Sequence, residues 1–114
     1  MIEGDVTFET VVSPISSATL FVRIQDVSRA DAPSIVVAEV ALRDISLQPG
    51  RNRRLPFRLD APALDPRGRY NLMAHLDVDN SGAISAGDYL TMESVPVGES
   101  GPGVRFSVPA RPVS

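Results

Sequence analysis

The sequence predicts an all-β protein: an antiparallel β-sandwich, or a partly closed barrel, of about seven to eight short strands. Three observations point there. Apolar residues recur with a period of two in several short runs, which is the repeat of a strand with one buried face. Ten prolines and eight glycines punctuate the 114 residues, as turn residues do between short strands. No stretch holds a convincing helical period. Hydrophobic residues make up 43% and charged residues 22%, which suits a globular chain and excludes wholesale disorder. The length fits one domain with a real core, expected over residues 1–109, followed by a flexible tail over 110–114.

The elements follow in order. In residues 4–12, Val6, Phe8, Thr10 and Val12 alternate with Asp5, Thr7, Glu9 and Val11, a first strand that Ser13-Pro14 breaks. Ala18, Leu20, Val22 and Ile24 form the next apolar face. Ile35 to Leu42 is nearly continuous and valine-rich, and is expected to be a central strand because β-branched residues favour the pleated conformation. Leu47-Gln48-Pro49-Gly50 signals a turn. Leu55, Phe57 and Leu59 alternate with Pro56 and Arg58; Pro56 cannot donate to a ladder, so this strand belongs at an edge. Ala61 to Gly68 reads as a loop. Tyr70, Leu72, Ala74, Leu76 and Val78 form another alternating strand, Tyr89 to Val97 the next, and Val104, Phe106 and Val108 the last.

Composition removes several functions. The net charge is −3, which argues against a nucleic-acid binder that must neutralise phosphates. All eleven basic residues are arginine, so Schiff-base chemistry and a Walker-type phosphate loop are excluded. Cysteine is absent, and with it disulfides, thiol catalysis and zinc–thiolate sites. No run of apolar residues is long enough to span a membrane. Neither a signal peptide nor a lipobox cysteine is present, so the chain reads as cytoplasmic as given and as periplasmic if a signal has been removed.

One stretch carries candidate chemistry. Asp77-Val78-Asp79-Asn80-Ser81-Gly82-Ala83-Ile84-Ser85-Ala86-Gly87-Asp88 matches the spacing of an EF-hand calcium loop. Side-chain oxygens fall at positions one, three, five, nine and twelve, with glycine at six and an aliphatic residue at eight. A hard cation wants several oxygens at once. Asp77, Asp79 and Ser81 can supply them as the chain curls, Gly82 permits the sharp turn, Ala83 offers its carbonyl, and Ser85 and Asp88 close the shell. Ile84 is expected to pin the loop to the core. Ser81 replaces the usual Asp or Asn and Asp88 the usual Glu, so binding is expected to be weak, roughly 10⁻⁵ to 10⁻³ M for calcium, with magnesium as the alternative ion. The competing reading is a plain polar turn, built from the same residue types. The flanking periods are those of strands, so the loop is expected to join a hairpin and to play a structural role.

A second signal lies in the strand Leu20 to Gln25 and the segment Asp26-Val27-Ser28-Arg29-Ala30-Asp31-Ala32-Pro33. Together with Leu55-x-Phe57-x-Leu59 and Tyr70-x-Leu72, this layout resembles the YbaY/YscW family, lipoproteins grouped with type III secretion lipoprotein chaperones, or pilotins. The resemblance covers roughly residues 4–97. It implies a small exported β-sandwich, anchored by a lipid on a cysteine, that binds a protein partner. This chain departs from that pattern in lacking the cysteine and in carrying the acidic loop. Read on its own residues, the segment is a rigid turn in which Ser28 and Asp31 bond to backbone groups.

The remaining candidates are structural. Arg51, Arg53, Arg54 and Arg58 decorate an edge strand and discourage edge pairing. The turn over residues 98–103 is glycine-rich but has no lysine for phosphate. His75, the one histidine, is expected at the surface on the polar face of its strand. No catalytic constellation is found. The sequence thus supports a non-enzymatic calcium-binding sandwich, or a pilotin-like protein whose acidic loop is incidental.

Overall fold

The computed structural model describes residues 1–29, 31–98 and 105–114. Eight strands follow in chain order: β1 (Ile2–Val11), β2 (Ile15–Asp26), β3 (Ile35–Leu47), β4 (Gly50–Leu59), β5 (Tyr70–Asp77), β6 (Tyr89–Leu90), β7 (Arg105–Pro109) and β8 (Arg111–Pro112). They form a three-stranded sheet in the order β4-β1-β7 and a five-stranded sheet in the order β3-β2-β5-β6-β8. Every pairing is antiparallel except β1 with β7. The described residues contain no helix and the sheets do not close into a barrel, so the predicted all-β sandwich is what forms.

The core lies between the sheets. Val6 and Phe8 of β1, Ala18, Leu20, Val22 and Ile24 of β2, Leu72, Ala74 and Leu76 of β5 and Val108 of β7 are all buried there. Each large aliphatic side chain so placed contributes roughly 1.5–3 kcal/mol. Phe8 and Tyr89 meet edge to face across the two sheets, with ring centroids 5.5 Å apart. Gly4 lets β7 come close: a Cβ there would sit 2.2 Å from the Phe106 carbonyl oxygen.

Several expectations are corrected. The valine-rich run is β3, an edge strand rather than a central one. Its inner face covers the core, but Ile35 and Val36 remain 65% and 47% exposed. The strand expected over 89–97 is only two residues long, although Leu72 N–H still donates to Val95 O at 2.8 Å and Val97 N–H to Tyr70 O at 2.8 Å. The ladder is interrupted between these points: the register against β5 shifts by two residues from His75–Leu90 to Asn71–Pro96, and Ala74 N–H donates to the Thr91 hydroxyl rather than to a carbonyl. At the end of β1 the buried residue is Val11, while Val12 is exposed as the chain turns away. The predicted loose tail is instead fastened: Ala110 is buried, and β8 pairs with β6. Pro109 and Pro112 do not end the ordered chain, because an outer strand has one side on which no N–H is needed. The glycine-rich turn after Gly98 and the start of the last strand at Val104 lie outside the described residues.

Candidate functional site

The acidic loop joins β5 to β6, an antiparallel pair, so the expected hairpin placement holds. Its turn is made by Asn80 (φ 55°) and Gly82 (φ 79°), the second being the position where a residue without Cβ was expected. The six predicted oxygen donors are brought into one hydrogen-bonded group. Asp77 accepts from Gly82 N–H at 2.9 Å and from Ser81 N–H at 3.3 Å. Asp79 accepts from the same Ser81 N–H at 3.2 Å and from the Ser85 hydroxyl at 3.0 Å. The Ser81 hydroxyl donates to the Ala83 carbonyl at 3.0 Å. Hydrogen bonding by Ser81 foremost, then by Asp77 and Ser85, holds the Asp79 carboxyl down at about 2.

Asp88 does more than close the loop. Its Oδ1 accepts from Val78 N–H at 2.9 Å, and its Oδ2 from Ser85 N–H at 3.2 Å and from His75 Nε2 at 2.8 Å. With the carboxylate as acceptor, Nε2 carries the hydrogen. The histidine expected at the surface is 1% exposed. It does lie on the outer face of β5, as the alternation required, but the loop folds back over it and Phe21 of β2 stacks on it at 5.9 Å. Asp77 and Asp88 are buried as well, and one ligand atom from each of His75, Asp77 and Asp88 lies within 4.8 Å of the others. No arginine pairs with Asp77, Asp79 or Asp88 among the described residues.

Two further residues shape this end. Asn80, at a variable position of the loop pattern, donates to Ser17 O at 2.6 Å and accepts from the Thr19 hydroxyl at 2.8 Å, tying the loop to β2. Its Asx chemistry was a signal for a turn but not for the strand it reaches. Ile84 does not pin the loop, being 51% exposed; Asn80 supplies that anchor instead.

The opposite end of the sandwich holds a groove of about 650 Å³, lined by Ile2, Pro62, Leu64, Pro66, Tyr70 and Val97 among others. Its wall is the 61–69 loop, and the motif segment braces that loop. Asp26 accepts from Ser28 N–H at 2.9 Å, the Ser28 hydroxyl accepts from Arg69 N–H at 2.9 Å, and Val27 N–H donates to Arg69 O at 2.8 Å. Asp65 N–H donates to the Tyr70 hydroxyl at 3.1 Å. Hydrogen bonding from Ser28 lowers the Asp26 carboxyl below its ordinary range. Ser28 therefore braces a turn as expected, though the backbone it holds belongs to a different loop, 41 residues further along the chain.

This is an all-β sandwich whose surface features are a braced groove at one end and an acidic hairpin loop at the other. The chain belongs to the family described as the type III secretion system lipoprotein chaperone (YscW), whose model matches residues 1–94. It is similar to a solved structure described as an alternative pilotin from the type II secretion system of Vibrio cholerae, with 25% identity and a TM-score of 0.59, over 97% of this chain and 92% of that one. A search of curated proteins found no match.

Proposed function

We propose that this protein is a non-enzymatic, pilotin-like chaperone of the cell envelope that binds a segment of a protein partner in the groove beside the 61–69 loop. The observation that carries this reading is the Asp26–Ser28 brace. The segment that resembles the family's signature is not spent on the core; it holds the wall of the groove through Arg69. Pro62, Leu64, Pro66 and Val97 place apolar side chains in a groove that also exposes Asp65 and polar backbone, a mixed lining suited to a peptide segment that offers both apolar side chains and hydrogen-bonding groups. The family match and the likeness to a pilotin support a protein partner and an envelope setting.

The test is a photo-crosslinking residue placed at Leu64, with Thr10 as a control. A discrete adduct with one envelope protein from the probe at position 64 alone, lost when Val97→Asp is added in the groove, is the expected result. Adducts of the same pattern from both positions, or none from Leu64, would overturn the reading.

A second reading concerns the loop. Asp77 and Asp88 lie close together, Asp79 joins them through Ser81 and Ser85, and no arginine pairs with any of the three among the described residues; this favours a divalent cation, calcium or magnesium, bound by Asp77, Asp79, Ser81, Ala83, Ser85 and Asp88. His75 and Val78 N–H would then orient Asp88, as outer partners orient ligating carboxylates. Thermal melts in EDTA, calcium and magnesium test this. Calcium at 100 times its Kd adds about 2.7 kcal/mol, which is a rise of several degrees. Asp79→Asn should abolish the rise, and that position is exposed enough to spare the fold. No response up to roughly 10 mM calcium, above the weakest affinities known for such loops, would leave the loop a polar turn.

A further inference from the structure

We infer that β3 is a self-association edge, through which two copies of this chain pair antiparallel across a two-fold axis at Ala41. The strand runs for 13 residues, against about 5–6 for a typical strand. Among the described residues, no strand pairs with its outer side. Proline, one guard of an edge, is absent from Ile35–Leu47, and the charges of the strand are of both signs: Glu39, Arg43 and Asp44. Irregularities in the pairing with β2 flank the stretch from Ala38 to Leu42, and Asp44 has φ 56°. Bulges of this kind limit edge pairing, so they confine a docking partner to this regular stretch, which the irregularity at Arg43 and Asp44 ends; a two-fold axis at Ala41 pairs Val40 with the second copy's Leu42 and leaves Glu39 facing the second copy's Arg43 at the rim.

The charges of that segment say what the partner is. In a two-fold antiparallel pair centred on Ala41, Glu39 stands opposite the second copy's Arg43, and Arg43 opposite the second copy's Glu39. Shifting the centre to Val40 or Leu42 puts each charge against an apolar residue. Opposite charges directly across a ladder stabilise it, and like charges weaken it. Both side chains are exposed. Glu39 already pairs with Arg23, which also lies over the Phe21 ring, whereas Arg43 has no ion pair among the described residues. A second copy gives Arg43 its carboxylate and extends the arginine–glutamate pair to three members.

Two measurements on the purified chain decide the matter. Sedimentation at high micromolar concentration should show a dimer. Arg43→Glu, which turns two attractive pairs into two repulsive ones, should raise its dissociation constant roughly tenfold or more without moving the melting midpoint of the monomer, and adding Glu39→Arg should restore association. The chain has no cysteine, so Ala41→Cys provides an independent probe. Residues directly opposite in an antiparallel pair sit about 4.5–5.5 Å apart at Cα, within disulfide reach. Mild oxidation should give a covalent dimer from Ala41→Cys and not from Ser46→Cys. A wild-type monomer at these concentrations, or a dimer indifferent to Arg43→Glu, would overturn the inference.

Discussion

At the scale of single residues, His75 and Asp88 depend on each other. Each is almost wholly buried, and their bond is 2.8 Å long. Asp88 also satisfies the N–H groups of Val78 and Ser85, so one carboxylate fixes both ends of the hairpin loop. Asp88→Ala should therefore cost about 3 kcal/mol, because it strands a buried histidine and two backbone donors at once. Urea unfolding without added cation measures this; a loss well under 1 kcal/mol would mean that water replaces the carboxylate. The positions of the loop's oxygens were legible in the sequence, since turn-forming side chains act over a few neighbouring residues. The burial of His75 was not. Its strand period correctly assigned it to the outer face, and only the fold-back of the loop makes that face an interior. Asn80 was illegible for a similar reason, as its partners Ser17 and Thr19 lie more than 60 residues away in the chain.

Among the elements, those with clean alternation were read correctly. β2 buries Ala18, Leu20, Val22 and Ile24 as expected, and Pro56 marks β4 as an edge. β3 misled because a run of β-branched residues suits any strand with one well-covered face, and composition does not report what lies beyond its outer edge. The pairing of β1 with β7 was also hidden: it is parallel and joins residues about 100 positions apart. Gly4 is what permits it. Any side chain there meets the backbone of Phe106, which cannot swing aside as a flexible side chain would. Gly4→Ala should cost about 1–3 kcal/mol, as overpacking does, and should speed amide exchange in Arg105–Pro109 more than in β2. Equal exchange in both places would show that the sheet absorbs the methyl elsewhere.

Taken as a whole, the molecule keeps its two surface features apart. The groove adjoins Tyr70 at the start of β5 and the acidic loop begins at Asp77 at its end, roughly 23 Å away at the strand rise. Each feature can thus be altered by mutation without touching the other. The final residues join the two sheets. β7 completes the three-stranded sheet, and Ala110 N–H bonds Thr7 O. A few residues on, Val113 exchanges hydrogen bonds with Gly87 and Asp88, beside β8 on the five-stranded sheet. This arrangement has a consequence for biosynthesis. β1 gains one neighbour, β4, about 50 residues on and the other about 100 residues on, and neither sheet is complete until β7 and β8 have been made. Non-local pairing of this kind is slow to form, so closing the sandwich falls to the last segment of the domain to be synthesised.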